Sequence, residues 1–152
     1  MSYAPLRCNN KTLQMKDIFI KTLEDRVHEY GCIETSAIKF YPELLKACEQ
    51  NVCGKYNASW SCPPATEPME KQIQKVQSYS HAFVYTTRGL LEDSFDYEGM
   101  QEAASVHRKI TLEMHDIYGK VNPVYGAGSC SYCEKCAYPN SCSYPDKLFY
   151  SI

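Results

Sequence analysis

The sequence predicts an α/β fold, a small layered sheet with crossover helices and a cysteine-rich C-terminal metal loop. The length of 152 residues suffices for one domain with its own hydrophobic core. Apolar residues recur at helical spacing in some segments and form short β-branched or aromatic runs in others. Nine cysteines are an unusually large number for this length. We expect one domain over 1–152, with an α/β body to about 128 that carries a cysteine loop at 48–64, and a cysteine-rich segment over 129–152.

Four segments are predicted to be helical because apolar residues return every three or four positions. These helices span 13–30, 42–48, 68–77 and, beginning at Asp96 or Tyr97, the stretch to residue 118. Gly31 and Gly119 follow the first and the last of them as predicted helix ends. The buried side of the last helix is predicted to draw on Met100, Ala103, Ala104, His107, Ile110, Leu112, Met114 and Ile117.

Three short segments are predicted to be strands, over 32–40, 81–87 and 121–125. The second, HAFVYTT, is rich in aromatic and β-branched residues, as a buried strand requires. The stretch 54–64 is punctuated by Gly54, Asn57, Pro63 and Pro64, so it is predicted to be a loop. Strands that alternate with helices in this way favour the α/β class.

The charge balance argues against polyanionic partners. Lys and Arg total 16 against 18 Asp and Glu, a net charge of −2, so we expect no nucleic-acid partner and no membrane surface. The N-terminal residues do not resemble a signal peptide, and no apolar run is long enough to cross a bilayer. We therefore expect a cytoplasmic protein, in which clustered thiols bind metal or carry out redox chemistry more often than they form disulfides.

The strongest chemical signal is a run of four cysteines near the C-terminal end, spaced C-x2-C-x2-C-x5-C. Its members are Cys130, Cys133, Cys136 and Cys142. Three thiolates at three-residue spacing on a tight loop can reach three corners of one iron-sulfur cube, and a fourth cysteine completes the set. Structural zinc also takes four thiolates, but its ligands usually divide into two separated C-x2-C pairs. The spacing therefore favours a 4Fe-4S cluster, with zinc as the alternative.

A second group, Cys48, Cys53 and Cys62, precedes Pro63 and Pro64 and contains the single tryptophan, Trp60. Seven candidate metal ligands exceed one four-ligand site and fall one short of two all-cysteine cubes. Either one cluster draws on both loops, or a second cluster has a non-cysteine ligand or an open iron. Cys8 and Cys32 stand apart and are interpreted as structural or incidental. We expect Trp60 to pack over the metal loop.

Two further groups have simpler interpretations. Glu92, Asp93, Asp96 and Glu98 precede or open the long helix, where carboxylates favour the helix dipole, and they lack the spacing of a calcium loop. His107 and His115 lie on that helix without the HExxH pattern of a zinc protease, so we interpret them as satisfied or exposed histidines.

Three segments resemble a family of predicted metal-binding proteins catalogued as domain of unknown function 2284. They are CEQNVCGKYNASWSCPP, LLEDSFDYEGM and GAGSCSYCEKCAYPNSCSYPD, in a common order over most of the chain. The resemblance implies a cysteine-rich protein that binds iron-sulfur clusters or other metal, from a family found mainly in anaerobic bacteria and archaea. The resemblance implies that all seven cysteines of the two groups are motif residues of the family. It implies no particular reaction.

The leading hypothesis is a metal-binding protein that holds one or two 4Fe-4S clusters and transfers electrons to or from a redox protein partner in an anaerobic-type cytosol. One alternative is a structural zinc module for protein interaction, and another is an enzyme with an open-site iron-sulfur cluster. The sequence does not decide whether the protein is an enzyme. A dimer that shares ligands would supply the missing eighth ligand.

Overall fold

The computed structural model of the chain describes residues 17, 19, 21, 23–120 and 122–148. Within them, three α-helices and two β-strands have defined bounds. In chain order they are β1 (Glu29–Glu34), α1 (Glu43–Glu49), α2 (Met69–Gln77), β2 (His81–Thr86) and α3 (Tyr97–Tyr118). The two strands form a small antiparallel sheet. The predicted small α/β class is confirmed.

The chain divides into two compact units. The first comprises the described residues up to Lys39 together with Ile73–Ala103, and the second comprises Phe40–Gln72 with the described residues from Ala104 onward. Both cysteine groups lie in the second unit. The prediction of a single domain stays a prediction.

The first unit is built on the pairing of β1 with β2, in a register that sets Tyr30 opposite Tyr85. Phe19, only 4% exposed, packs on this sheet with its ring centroid 4.1 Å from that of Phe83 and 5.5 Å from that of Tyr85. Phe83 and Tyr85 are two positions apart on β2, so they share a face of the sheet. Aromatic packing on one sheet face therefore forms this core.

Two boundaries in the first unit differ from prediction. The helix predicted over 13–30 falls partly outside the described residues, and its helical backbone gives way to a 3-10 turn at Glu24–Arg26. Gly31 is not a helix end but lies inside β1, which therefore begins and ends earlier than the predicted strand 32–40. Cross-strand pairing with β2 outweighs the local helical pattern here. Cys32, in the same strand, is disulfide-bonded, and the prediction for Cys8 lies outside the described residues.

The helices agree more closely with the sequence pattern. α1, α2 and α3 begin and end within one residue of their predicted bounds, because proline, aspartate and glycine mark the ends. At the start of α3, Asp96 Oδ1 accepts the Gly99 backbone N–H at 2.8 Å, so this carboxylate caps the helix as expected. The prediction of a strand over 121–125 is wrong for the part of this range that the structure describes, residues 122–125. Asn122 to Val124 are irregular, and Tyr125 forms a single bridge.

The buried stripe of α3 in the second unit consists of Ile110, Thr111, Met114 and His115, all at most 9% exposed. The sequence pattern assigned Met100 and Ile117 to the buried side, but they are 38% and 48% exposed. Ile117 lies about 90° around the helix from the centre of this stripe, and Met100 lies in the part of α3 that belongs to the first unit. None of the helices in the described residues combines the length and apolar character needed to cross a bilayer.

Candidate metal centre

The first cysteine segment, residues 48–64, is a series of turns after the end of α1, as its glycine and proline content predicts. Asn51 and Asn57 both have a left-handed backbone with φ of 53°, a conformation that asparagine tolerates better than most residues. The Asn51 side chain accepts the Tyr56 backbone N–H at 3.0 Å, and the Asn57 N–H donates to the Pro63 carbonyl at 2.8 Å. Side-chain and backbone hydrogen bonds thus hold this loop.

The three thiols of this segment differ in exposure. Cys48 and Cys53 are exposed, whereas Cys62 is half-buried. Burial raises the pKa of the Cys62 thiol, and the charges of Cys53 and Cys48 raise it further, while a hydrogen bond from Ser61 opposes them. Cys62 is therefore close enough to the other two thiols for their charges to act on it.

The second cysteine segment, residues 130–142, gathers its four thiols around one pocket. All four are half-buried. The residues that line the pocket are Cys130, Tyr132, Cys133, Cys136, Ala137, Cys142, Ser143, Tyr144 and Leu148. Gly128, with φ of 87°, adopts a left-handed backbone two residues before Cys130, where a side chain would be strained. The four cysteines that the C-terminal spacing singled out thus all line this pocket.

The four thiols line one pocket without forming a compact ligand group. Among the described residues, no three His, Cys, Asp or Glu side chains are grouped closely enough to hold a metal ion. The donor set nevertheless fits a thiolate-bound metal or cluster, because four thiols share one pocket. The buried Ser131 hydroxyl, next to Cys130, has no hydrogen-bond partner within the part of the chain that is described. Such a hydroxyl is a donor that thiolate or sulfide can accept.

Two buried serines connect the two segments. Ser59 is 3% exposed and Ser61 1%, and their hydroxyl oxygens lie 3.0 Å apart. The Cys130 backbone N–H donates to Ser61 Oγ at 2.7 Å, across 69 positions of sequence. The N-terminal end of the second segment is thus fixed to the first by a short hydrogen bond. The cysteine spacing did not reveal either serine.

Trp60 makes the second connection, as the sequence led us to expect. Its indole N–H donates to the Asn140 carbonyl at 2.9 Å, and its ring meets the Tyr138 ring edge-on at 5.0 Å. The Tyr138 hydroxyl in turn donates to Asn57 Oδ1 at 2.7 Å. Because Tyr138 and Asn140 lie between Cys136 and Cys142, these contacts support the stretch that carries the last two cysteines.

Several donor groups surround the Cys136 thiol. Burial alone would raise its pKa, but the backbone N–H groups of Tyr138 and Trp60 and the hydroxyl of Ser59 donate to the sulfur and lower the pKa overall. The positive charge of Lys55 acts in the same direction. Cys136 therefore forms the thiolate, the form that binds metal, more readily than an ordinary cysteine does.

A polar network lies behind Tyr132, which occupies the position between Cys130 and Cys133. The Tyr132 hydroxyl is 2.9 Å from Asp116 Oδ1, to which it donates, and 3.1 Å from His115 Nδ1. Lys147 pairs with the same Asp116 oxygen at 3.1 Å and lies 5.2 Å from the centre of the Tyr132 ring. The network anchors the middle of the second segment to α3. Apart from His115, sequence reasoning missed its members, which form no motif.

Electrostatics in this network follow from burial and pairing. Burial lowers the pKa of His115, with partial opposition from the Asp116 charge. Hydrogen bonds from Lys147 and Tyr132 lower the pKa of Asp116. Burial, the hydrogen bond to Asp116 and nearby negative charge raise the pKa of Tyr132. Gly119 follows the last residue of α3. A Cβ at position 119 would lie 2.5 Å from the His115 carbonyl oxygen, so the position favours glycine.

The comparisons with known proteins agree with this chemistry. The family model described as predicted metal-binding protein (DUF2284) matches residues 31–152. The chain therefore belongs to this family, whose members are predicted to bind metal. No curated protein and no solved structure matches the chain.

Proposed function

We propose that the protein holds a 4Fe-4S cluster on Cys130, Cys133, Cys136 and Cys142 and passes single electrons to or from a redox protein partner in the cytoplasm. The observation that carries the proposal is that these four half-buried thiols all line one pocket. The C-x2-C-x2-C spacing of the first three is that of cluster-binding loops. The cluster, when bound, supplies the one-electron chemistry.

The residues around the pocket support this role. Tyr132, Tyr144 and Leu148 line the pocket beside the thiols. Donors to the Cys136 sulfur stabilise negative charge at one side of the pocket. Burial and hydrogen bonds to sulfur are two of the means by which proteins set the potential of such clusters.

The test is the metal and sulfide content of protein purified without oxygen. We expect about four iron and four acid-labile sulfide per chain, with visible absorption that dithionite bleaches and a paramagnetic signal in the reduced state. About eight of each would mean that Cys48, Cys53 and Cys62 hold a second cluster. One or two zinc without sulfide or colour would replace the proposal with a structural zinc site.

A further inference from the structure

We infer that the loop between β2 and α3, together with the first residue of α3, is a docking surface for a protein partner that presents an apolar surface flanked by lysine or arginine. This β2–α3 loop comprises residues 87–96, and α3 begins at Tyr97. The loop lies in the first unit, whereas the four proposed ligand cysteines lie in the second. The inference therefore goes beyond the proposed function and does not depend on it.

Large apolar side chains are unusually exposed in this part of the chain. Leu90 is 86% exposed, Phe95 81% and Tyr97 75%. Among the described residues, the one large hydrophobic side chain with a higher exposure is Val52, at 90%, in the first cysteine segment. Single exposed apolar residues are common on protein surfaces, but a group of them within a short stretch is typical of a surface that a partner covers.

Hydrogen bonds within the loop fix the backbone that carries these side chains. Asp93 Oδ1 accepts the Phe95 backbone N–H at 2.7 Å, and Asp96 Oδ2 accepts the Glu92 backbone N–H at 3.2 Å. The other oxygen of Asp96 caps α3 at Gly99. The apolar side chains are therefore presented by an ordered loop, so a partner does not have to supply the free energy of ordering it.

A second contact holds the beginning of the loop against α3. The Gly89 backbone lies so close to this helix that a Cβ added at Gly89 would be 2.5 Å from the Ala103 Cβ. Glycine permits this approach because it has no side chain. Both ends of the loop are thus held on the same helix, and Leu90 directly follows the contact at Gly89.

The charge around the apolar side chains indicates the chemistry of the partner. Residues 90–100 contain four carboxylates and no lysine or arginine, so their net charge is −4, and the whole chain carries −2. The other residues together therefore carry +2. Glu92, Asp93 and Glu98 are exposed. Such a surface is complementary to an apolar surface with basic neighbours, and it repels nucleic acid, anionic lipid and the same surface on a second copy.

Phe95 is the side chain that we expect to form the centre of the interface. Within 92–98, two carboxylates precede it and two follow it. Aromatic side chains at the centre of an interface contribute much of the binding free energy, whereas charges at the rim mainly set orientation and the rate of association. Loss of the Phe95 ring should therefore weaken binding more than loss of the carboxylates beside it.

The test titrates the purified full chain with a synthetic amphipathic peptide of leucine and lysine and follows the backbone amide NMR signals. We expect the largest shift changes at the amides of the β2–α3 loop. Phe95→Ser should weaken binding about tenfold, because one aromatic ring is no longer buried. Val52→Ser, which removes the other highly exposed apolar side chain, is the matched control and should bind like the unmutated protein. A peptide with glutamate in place of lysine should not bind.

A second variant, Glu92→Gln with Glu98→Gln, tests the charge without changing the carboxylates that hold the loop. It should weaken binding of the lysine peptide about threefold and reduce the dependence of binding on salt. Both variants change exposed side chains, so the fold should be retained. If Phe95→Ser binds the lysine peptide as tightly as Val52→Ser does, the inference is overturned, because charge alone then accounts for binding.

Two further measurements test the other possible occupants of this surface. Analytical ultracentrifugation should give the same sedimentation for the unmutated chain and Phe95→Ser. Self-association that Phe95→Ser abolishes would overturn the inference in favour of a second copy of the chain. Vesicles of phosphatidylcholine and phosphatidylserine should not bind the protein, since both surfaces are negative. Vesicle binding that requires Phe95 would overturn the inference in favour of a membrane.

Discussion

Cys48 and Cys53 of the first cysteine segment are exposed, whereas the four cysteines of the second segment are half-buried around a common pocket. The first segment contributes its best-buried polar groups, Ser59 and Ser61, to support the second. Two loops that are both rich in cysteine therefore differ in what surrounds the thiols. Cysteine count identifies candidate ligands in both segments, and the shared pocket is the reason that we propose the second segment as the one that holds the metal.

The largest expected effect comes from exchanging cysteines in one segment at a time. Cys133→Ser with Cys136→Ser should reduce iron from about four per chain to nearly none, since each removes a proposed ligand from one pocket. Cys48→Ser with Cys53→Ser, the matched pair of exposed thiols, should leave iron nearly unchanged. The measurement is iron and sulfide per chain in the two double variants. Equal loss of iron in both would show that the two segments contribute equally to metal binding.

A smaller effect is expected where Trp60 joins the segments. Trp60→Ala should lower the free energy of unfolding by about 3 kcal/mol, because it removes both ring packing and the bond to Asn140. Trp60→Phe keeps a ring and should cost about 1 kcal/mol for the lost hydrogen bond. Urea unfolding of metal-free protein measures both. Tyr144→Phe, at a half-exposed ring, is the control. If Trp60→Ala lowers the free energy of unfolding no more than Tyr144→Phe does, the contact of Trp60 with the second segment does not stabilise the fold.

The pH dependence of stability tests the anchoring of the second segment to α3. Burial lowers the pKa of His115 in the folded state, so the unfolded state binds more protons as the pH falls below about 6.5. Stability should therefore decline as the pH falls through that range, and the decline should be shallower in His115→Gln. Chemical unfolding from pH 7.5 to 5.5 on metal-free protein gives the two slopes. Parallel slopes would show that His115 is not the titrating group.

The smallest effect is expected at the surface of the same network. Lys147 is half-exposed and pairs with Asp116, so Lys147→Met should cost only about 0.5 kcal/mol of unfolding free energy. The loss should shrink further in high salt. Lys135→Met, at an exposed lysine of the second segment, is the matched control. A Lys147→Met cost above that of Trp60→Ala would contradict the expectation that the tryptophan contact contributes more than the ion pair.

The sequence predicted local features well and long-range ones poorly. Helix bounds could be predicted because proline, aspartate and glycine mark the ends of α1, α2 and α3. β1 was misplaced because its position depends on pairing with β2, which lies far along the chain. The predicted third strand has apolar character but is irregular from Asn122 to Val124.

The same division applies to the candidate site. The four cysteines that line the pocket could be singled out from the sequence because their spacing is local and specific, and their role as ligands stays a prediction. Ser59 and Ser61 could not, since serine forms no motif there and the Cys130 contact spans 69 positions. Tyr132 and Lys147 likewise acquire their roles only through contact with Asp116. Sequence spacing thus identifies the proposed ligands, and only the fold identifies the groups that act on them.

Two hydrogen bonds join the ends of the insert between the two strands. The Thr35 N–H donates to the Ser80 carbonyl at 3.2 Å, and the Thr35 hydroxyl donates to the Tyr79 carbonyl. Residues 35–80 are therefore a closed loop within the chain, which includes the whole first cysteine segment. Doubling the length of such a loop costs only about 0.6 kcal/mol in closure entropy. Extra residues in the exposed turns of this loop should therefore cost little closure entropy and leave the register of the sheet unchanged.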